Sequence, residues 1–162
     1  IAAQREAMQA LTFMDGVWRG TATTQLPNGQ KLSMTQTERV GPMLDGSIKV
    51  IEGRGYDANG KLAFSSLGIV SFNPGSRSYS LHSHAMGRTG DFELAPTANG
   101  FVWKIVASPS LTIRYSATVK DGVWVETGER LVANQEPIPF FEMTLKRLGD
   151  SDWPLADAIG PR

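Results

Sequence analysis

Apolar and polar residues alternate along most of this 162-residue chain, and the alternation begins just after residue 11. Before that point, the segment "AAQREAMQAL" is rich in Ala, Met, Gln, Glu and Arg, which favour helix. We therefore expect one short helix over residues 2–11. From Gly16 onward the period is two residues, which is typical of strands whose two faces differ in polarity. The pattern predicts a short helix followed by an all-β domain.

Turn signals divide the alternating region into about ten strands. Asn-Gly and Asp-Gly pairs, as in "PNGQ", "LDGS", "ANGK" and "KDG", supply the positive φ angles that hairpin turns need. No gap between strands is long enough for a crossover helix, so consecutive strands should pair antiparallel. The predicted strands cover residues 16–26, 31–40, 47–56, 62–72, 78–86, 91–95, 101–107, 111–120, 123–132 and 138–148.

A long antiparallel meander removes its exposed edges when its first and last strands pair. We therefore predict an all-β fold in which an antiparallel up-and-down meander closes into a barrel of about 8–10 strands. The whole chain is expected to be a single domain, with residues 1–12 as the N-terminal helix, 13–148 as the barrel and 149–162 as a C-terminal tail. A two-sheet sandwich is the alternative that the same pattern allows.

Three residues are expected to close one end of this barrel. Gly16 and Trp18 begin the first predicted strand, and Arg147 lies near the end of the last one. An antiparallel pairing of these two strands brings Arg147 beside Trp18, and the two-residue period puts both on the apolar face. An arginine stacked on an indole is favourable by about 0.5–2 kcal/mol. We therefore assign Gly16, Trp18 and Arg147 a structural role in barrel closure.

The motifs also resemble a known group of proteins. The run "FMDGVWRGTA … PMLDGSIKVIEGRGYDANG … SFNPGSRSYSL … FEMTLKR" resembles the calycin superfamily of lipocalins, fatty-acid-binding proteins and their relatives. More specifically, it is similar to the bacterial lipocalin-like domains of unknown function of the DUF1579 type. The resemblance covers about residues 12–148. It implies a calycin-like barrel with an internal cavity and no established chemistry.

Composition narrows the classes of partner. Lys and Arg total 16, as do Asp and Glu, so the net charge is zero and we expect no nucleic-acid partner. The absence of cysteine excludes disulfides, Cys-ligated zinc and cysteine nucleophiles. No apolar run is long enough to predict a membrane span. The first residues are compatible with the segment after a removed signal peptide or with an arbitrary chain boundary, and we lean towards a periplasmic or secreted location.

Six side chains are candidates for contacting a small ligand. His82 and His84 share one face of a strand, where they could bind metal or haem, line a cavity or lie exposed. Arg54 would anchor a ligand carboxylate if its face is interior, and would pair with Glu52 in solvent if it is exterior. The remaining candidates are Tyr115 and Trp103 on apolar faces, as cavity wall or plain core, and Arg88 in the hairpin "MGRTGDF" at the barrel mouth.

No residue pattern marks a catalytic site. A nucleophile elbow and a carboxylate pair suited to glycoside hydrolysis are both missing, and we predict no catalytic residue, metal or cofactor. The favoured function is non-catalytic binding of a small apolar or amphipathic molecule inside the barrel. One alternative is a metal or haem protein, or an enzyme, that depends on His82 and His84. The other is an interaction module that binds a protein partner or forms a homodimer.

Overall fold

The computed structural model describes residues 1–162 and is dominated by ten strands. A helix, α1 (Ala2–Gln9), and a 3₁₀ turn (Thr12–Met14) precede them. The strands are β1 (Gly16–Gln25), β2 (Lys31–Met43), β3 (Ile48–Tyr56), β4 (Leu62–Asn73), β5 (Ser78–Ala85), β6 (Arg88–Thr97), β7 (Gly100–Ser108), β8 (Leu111–Lys120), β9 (Val123–Val132) and β10 (Ile138–Gly149).

The strands form a closed antiparallel barrel in which each strand pairs with its neighbours in sequence and β1 pairs with β10. Trp18 lies opposite Arg147 in that closing pair. The predicted all-β meander closed into a barrel is therefore confirmed, and the alternative of a two-sheet sandwich is wrong. No helix in the structure is both long enough and apolar enough to cross a membrane.

Several elements differ from the prediction in their bounds, and β6 differs most. β6 begins at Arg88 and ends at Thr97, whereas the sequence predicted a strand over residues 91–95. The β5–β6 turn needs only Met86 and Gly87, both of which have positive φ angles, so Arg88 already pairs with Ala85. The helix ends at Gln9, and the chain then makes the separate 3₁₀ turn before β1.

The N-terminal segment closes one end of the barrel. Met8, Leu11 and Met14 are buried there in one apolar cluster with Trp18 and Trp124 from the interior faces of β1 and β9. The Tyr79 hydroxyl of β5 donates a hydrogen bond of 3.0 Å to the Ala7 carbonyl, which ties the helix to the sheet. This end of the barrel is therefore packed solid.

Arg147 closes the seam between β1 and β10 through a backbone carbonyl. Its Nη2 and Nε atoms donate to the Asp15 carbonyl at 2.9 and 3.2 Å, and Nη2 also contacts Asp150 at 2.5 Å. These bonds take the place of the stacking on Trp18 that the sequence suggested. Gly16 has a φ of +123°, and a Cβ there would lie 2.6 Å from Arg147 Nη2, so only glycine suits this position.

A buried ion pair lies at the same closed end. Lys49 of β3 is 1% exposed, and its ammonium group pairs with the Asp15 carboxylate. Burial lowers the pKa of Lys49, and the hydrogen bond and charge of Asp15 oppose that change. Asp15 therefore supplies the counter-charge for an ammonium group that would otherwise be buried without a partner.

Asp15→Asn is expected to lower the free energy of unfolding by about 1–3 kcal/mol, because it leaves the buried Lys49 cation without its counter-charge. Lys49→Met in the same chain should restore most of that loss, because a buried pair is often replaceable by apolar side chains. Urea unfolding of the two single variants and the double variant at pH 7 tests this. A double variant less stable than Asp15→Asn alone would contradict it.

The C-terminal tail lies against the outer face of β2. The Arg39 guanidinium sits 4.5 Å from the centre of the Trp153 ring. A Cβ on Gly41 would come within 2.0 Å of the Trp153 carbonyl oxygen, so the tail can approach the strand this closely only at a glycine. Trp153 thereby attaches the tail to the barrel wall.

Candidate functional site

The barrel interior contains a cavity of about 640 Å³ beyond the packed end. Its mouth lies at the β5–β6 hairpin, where Met86, Arg88 and Thr89 line it, together with Phe140 at the start of β10. This volume falls within the roughly 300–1,000 Å³ of most small-molecule sites. The cavity is therefore the strongest candidate for a functional site in the molecule.

Aromatic rings form one wall of the cavity. Trp103 of β7 and Tyr115 of β8 are partners on neighbouring strands. Their rings stack with centres 4.4 Å apart and an angle of 12° between the ring planes. Phe92 packs at 5.7 Å from Trp103, and Phe141 at 5.7 Å from Tyr115. The structure thus places two of the predicted ligand contacts, Trp103 and Tyr115, on the cavity wall.

Two carboxyl groups also face this cavity, Glu38 from β2 and Glu126 from β9. Glu126 accepts hydrogen bonds from the indole nitrogens of Trp103 at 3.1 Å and Trp124 at 3.2 Å. Glu38 accepts one from the Gln36 side-chain amide at 2.7 Å. Neither carboxyl group forms an ion pair. The polar part of the cavity is therefore acidic.

Burial controls the protonation of these groups. It raises the pKa of Glu38 to about 8; the Gln36 hydrogen bond opposes this, and the charges of Glu126 and Glu52 add to it. Burial also raises the pKa of Glu126, against the two indole hydrogen bonds. The pKa of Tyr115 rises to about 12 through burial and the charge of Glu126. Glu38 consequently holds a proton at neutral pH.

One glycine leaves space beside the Glu38 carboxyl group. Gly53 of β3 pairs with Glu38 of β2, and a Cβ on Gly53 would lie 2.7 Å from Glu38 Oε1 and 2.8 Å from the Ser66 hydroxyl. Both of these side chains line the cavity. Gly53 therefore allows the Glu38 carboxyl group and the Ser66 hydroxyl to sit close together in the cavity wall.

The two histidines lie on the outside of the barrel. Ser83 and Ala85 line the cavity, so the alternating residues His82 and His84 point outward. His82 Nδ1 is 2.7 Å from Asp91 Oδ1, and the two imidazole rings pack at 4.9 Å. No group of three or more His, Asp or Glu side chains in the structure is arranged to hold a metal ion.

Arg54 also lies on the outer face, which removes the geometric basis for its expected contact with a ligand inside the barrel. Its side chain is exposed, and its Nε donates to Glu52 at 2.9 Å. Arg39 pairs with the other oxygen of the same carboxylate. Of the predicted ligand contacts that carry charge, Arg88 alone borders the cavity, at its mouth.

Neither Glu38 nor Glu126 is among the ligand contacts predicted from the sequence. A usable signal was present in the strand pattern. Glu38 shares the alternating face of β2 with Met34 and Val40, and Glu126 shares that of β9 with Trp124. A carboxylate on a face that also carries large buried apolar side chains is uncommon in a barrel interior and marks a candidate site.

Comparisons with known proteins identify the fold and no family. No protein-family model matches the chain, and no curated protein matches it in sequence. Among solved structures, it is similar to the crystal structure of Rv2717c from M. tuberculosis, with a TM-score of 0.65 and 12% sequence identity. The match covers 87% of this chain and 96% of that one. At this identity the likeness concerns the fold alone.

Proposed function

We propose that this chain is a calycin-like barrel, of the type of the bacterial DUF1579 domains, that binds a small apolar or amphipathic molecule in its cavity without chemical conversion. The observation that carries this proposal is the aromatic-walled cavity of about 640 Å³ inside the barrel. Apolar area that a ligand buries there contributes about 25 cal/mol per Å² before the costs of association. The stacked rings of Trp103 and Tyr115 offer flat apolar surface for such contact.

The position of the histidines supports binding rather than catalysis. Histidine is the commonest general base near neutral pH, and the only two in this chain point away from the cavity. The same geometry argues against the alternative of a haem or metal protein in which His82 and His84 act inside the barrel.

A substitution that fills the mouth tests the proposal. Ala85 is half-buried and lines the cavity, so Ala85→Trp should place an indole within the space that a ligand occupies. We expect the neutral dye N-phenyl-1-naphthylamine to bind the unmodified protein with enhanced, blue-shifted fluorescence. Ala85→Trp should weaken this binding at least about tenfold, since the indole would obstruct the mouth and occupy part of the space that the ligand needs.

His84→Trp is the matched control. It adds the same side chain one residue away on the same strand, but on the exposed outer face. Dye affinity should stay within about twofold, because the cavity volume is unchanged. Circular dichroism establishes that both variants fold. Absence of dye binding, or equal weakening by the two substitutions, would disprove the cavity as a binding site.

A further inference from the structure

We infer that the cavity takes an organic cation, a primary or secondary amine carried on an apolar or aromatic body. This inference rests on the proposed function and adds the chemical class of the ligand. The geometry points to it because two carboxyl groups, Glu38 and Glu126, face an aromatic-walled cavity and have no cationic partner in the protein.

None of the cations near the barrel interior forms an ion pair with either carboxyl group, and the Arg130 guanidinium lies 4.4 Å from the centre of the Phe140 ring. Lys49 pairs with Asp15 at the packed end. Arg147 bonds the Asp15 carbonyl and Asp150 at the seam. Arg88 is exposed at the mouth, and Arg54 is held by Glu52 on the outer face. A cation that pairs with the ionised form of Glu38 would therefore come from the ligand.

Glu38 has an oxygen free to receive such a group. Both oxygens of Glu126 accept an indole N–H, whereas Glu38 accepts one bond, at Oε1 from Gln36. Glu38 Oε2 has no donor and borders the cavity, and a carboxylate can accept several hydrogen bonds. An ammonium group has only donors, so it satisfies this oxygen without leaving an acceptor unpaired.

The aromatic wall suits the rest of such a ligand. Trp103, Tyr115, Phe92 and Phe141 all line the cavity. The faces of their rings carry partial negative charge, which attracts cations in addition to the apolar contact that they provide. A carboxylate ligand would instead meet the partial negative charge of the ring faces, and it would be repelled by Glu38 once that group ionises near pH 8. The lining therefore selects against fatty acids and for amines.

Binding of an ammonium ion should release a proton. In the empty protein, burial and the charges of Glu126 and Glu52 raise the pKa of Glu38 to about 8, so its carboxyl group is protonated at pH 7. The arriving ammonium keeps its own protons and stabilises the carboxylate, and the proton of Glu38 passes to solvent. Tyr115 keeps its proton near this pH and the Gln36 amide does not titrate, whereas Glu126, whose pKa burial also raises, would add to the proton release. Amine affinity should therefore rise with pH, by up to about tenfold per pH unit below 8.

Three probes with one aromatic body separate charge from apolar contact. Calorimetric titration at pH 8 should show 2-(1-naphthyl)ethylamine binding at least about tenfold more tightly than 2-(1-naphthyl)ethanol, and 1-naphthylacetate most weakly. Glu38→Gln should weaken amine binding at least about tenfold and leave alcohol binding within about twofold. Glu142→Gln removes the same charge from the exposed face of β10 and should change neither.

Proton release supplies a measurement on the unmodified protein. The binding enthalpy of the amine at pH 7 should differ between phosphate and Tris buffers by the amount expected for release of about one proton, and not for the alcohol. Equal affinity for amine and alcohol, or a preference for the acid, overturns the cation inference while the proposed function stands. Binding of the neutral dye without binding of any of the three probes would also overturn the cation inference and leave the proposed function standing. If the dye also fails, both proposals fall.

Discussion

Replacing Trp18 by alanine is expected to lower the free energy of unfolding by about 3–5 kcal/mol. The indole is 1% exposed and packs edge-on against Trp124 with ring centres 5.6 Å apart. Its Nε1 donates to the Met14 carbonyl at 2.9 Å, which links the strand to the turn that covers the packed end. Alanine would leave a cavity among these groups and an unpaired buried carbonyl.

Urea unfolding followed by circular dichroism measures this loss. Trp18→Phe should cost about 1–3 kcal/mol, because the ring remains while the donor to Met14 is lost. Trp153→Ala is the control: that indole is only half-buried and covers Arg39 on the outer wall, so the loss should be about 1 kcal/mol or less. If Trp18→Ala cost no more than Trp153→Ala, the packed end would not depend on Trp18.

The stability of the unmodified protein is expected to fall as the pH rises from about 5 to 9. The pKa of Glu38 is about 8 in the folded protein and 4.5 for the free side chain, so the folded state binds more protons between these values. Each increase of one pH unit in this interval therefore lowers the free energy of unfolding. The full difference corresponds to roughly 5 kcal/mol, and we expect about 2–4 kcal/mol because Glu38 borders a cavity wide enough for water.

Glu38→Gln should remove most of this pH dependence and stabilise the protein at pH 9, since the amide carries no charge to desolvate. Glu126, whose pKa is also raised, should leave a smaller slope of the same sign. Glu142→Gln provides the matched control on the outer face. Urea midpoints at pH 5, 7 and 9 decide the matter. A flat profile for the unmodified protein, or an undiminished slope in Glu38→Gln, would show that Glu38 is not held in a desolvated site.

These two expectations concern neighbouring positions in one barrel, since Trp18 of β1 pairs with Glu38 of β2 where the packed end meets the cavity. The packed end gains stability from burial of Trp18 and its neighbours, whereas Glu38 costs stability by keeping an ionisable group in the interior. Groups that cost stability are concentrated at functional sites. The acidic part of the cavity is therefore where binding should be sought.

The amino-acid sequence by itself determined the architecture. Turn pairs such as "NG" and "DG" and the two-residue period are local signals that the sequence carries directly. A meander with short connections has two unpaired edge strands, and pairing its first strand with its last removes both edges. The same reasoning placed Trp18 opposite Arg147. It failed at the ends of β6, where "GRTGD" has the composition of a turn but pairs with β5 across Arg88 and Ala85.

Only the tertiary structure decided which face is interior on strands whose two faces are similar in polarity, such as β5. Alternation separates His82 and His84 from Ser83 and Ala85, but it does not say which pair points inward when both are polar or small. Curvature of the closed sheet makes that choice, and it also brings Glu38 and Glu126 to one cavity from strands far apart in the chain. The raised pKa of Glu38 arises from burial among these distant neighbours, and burial is a property of the assembled barrel rather than of any local segment.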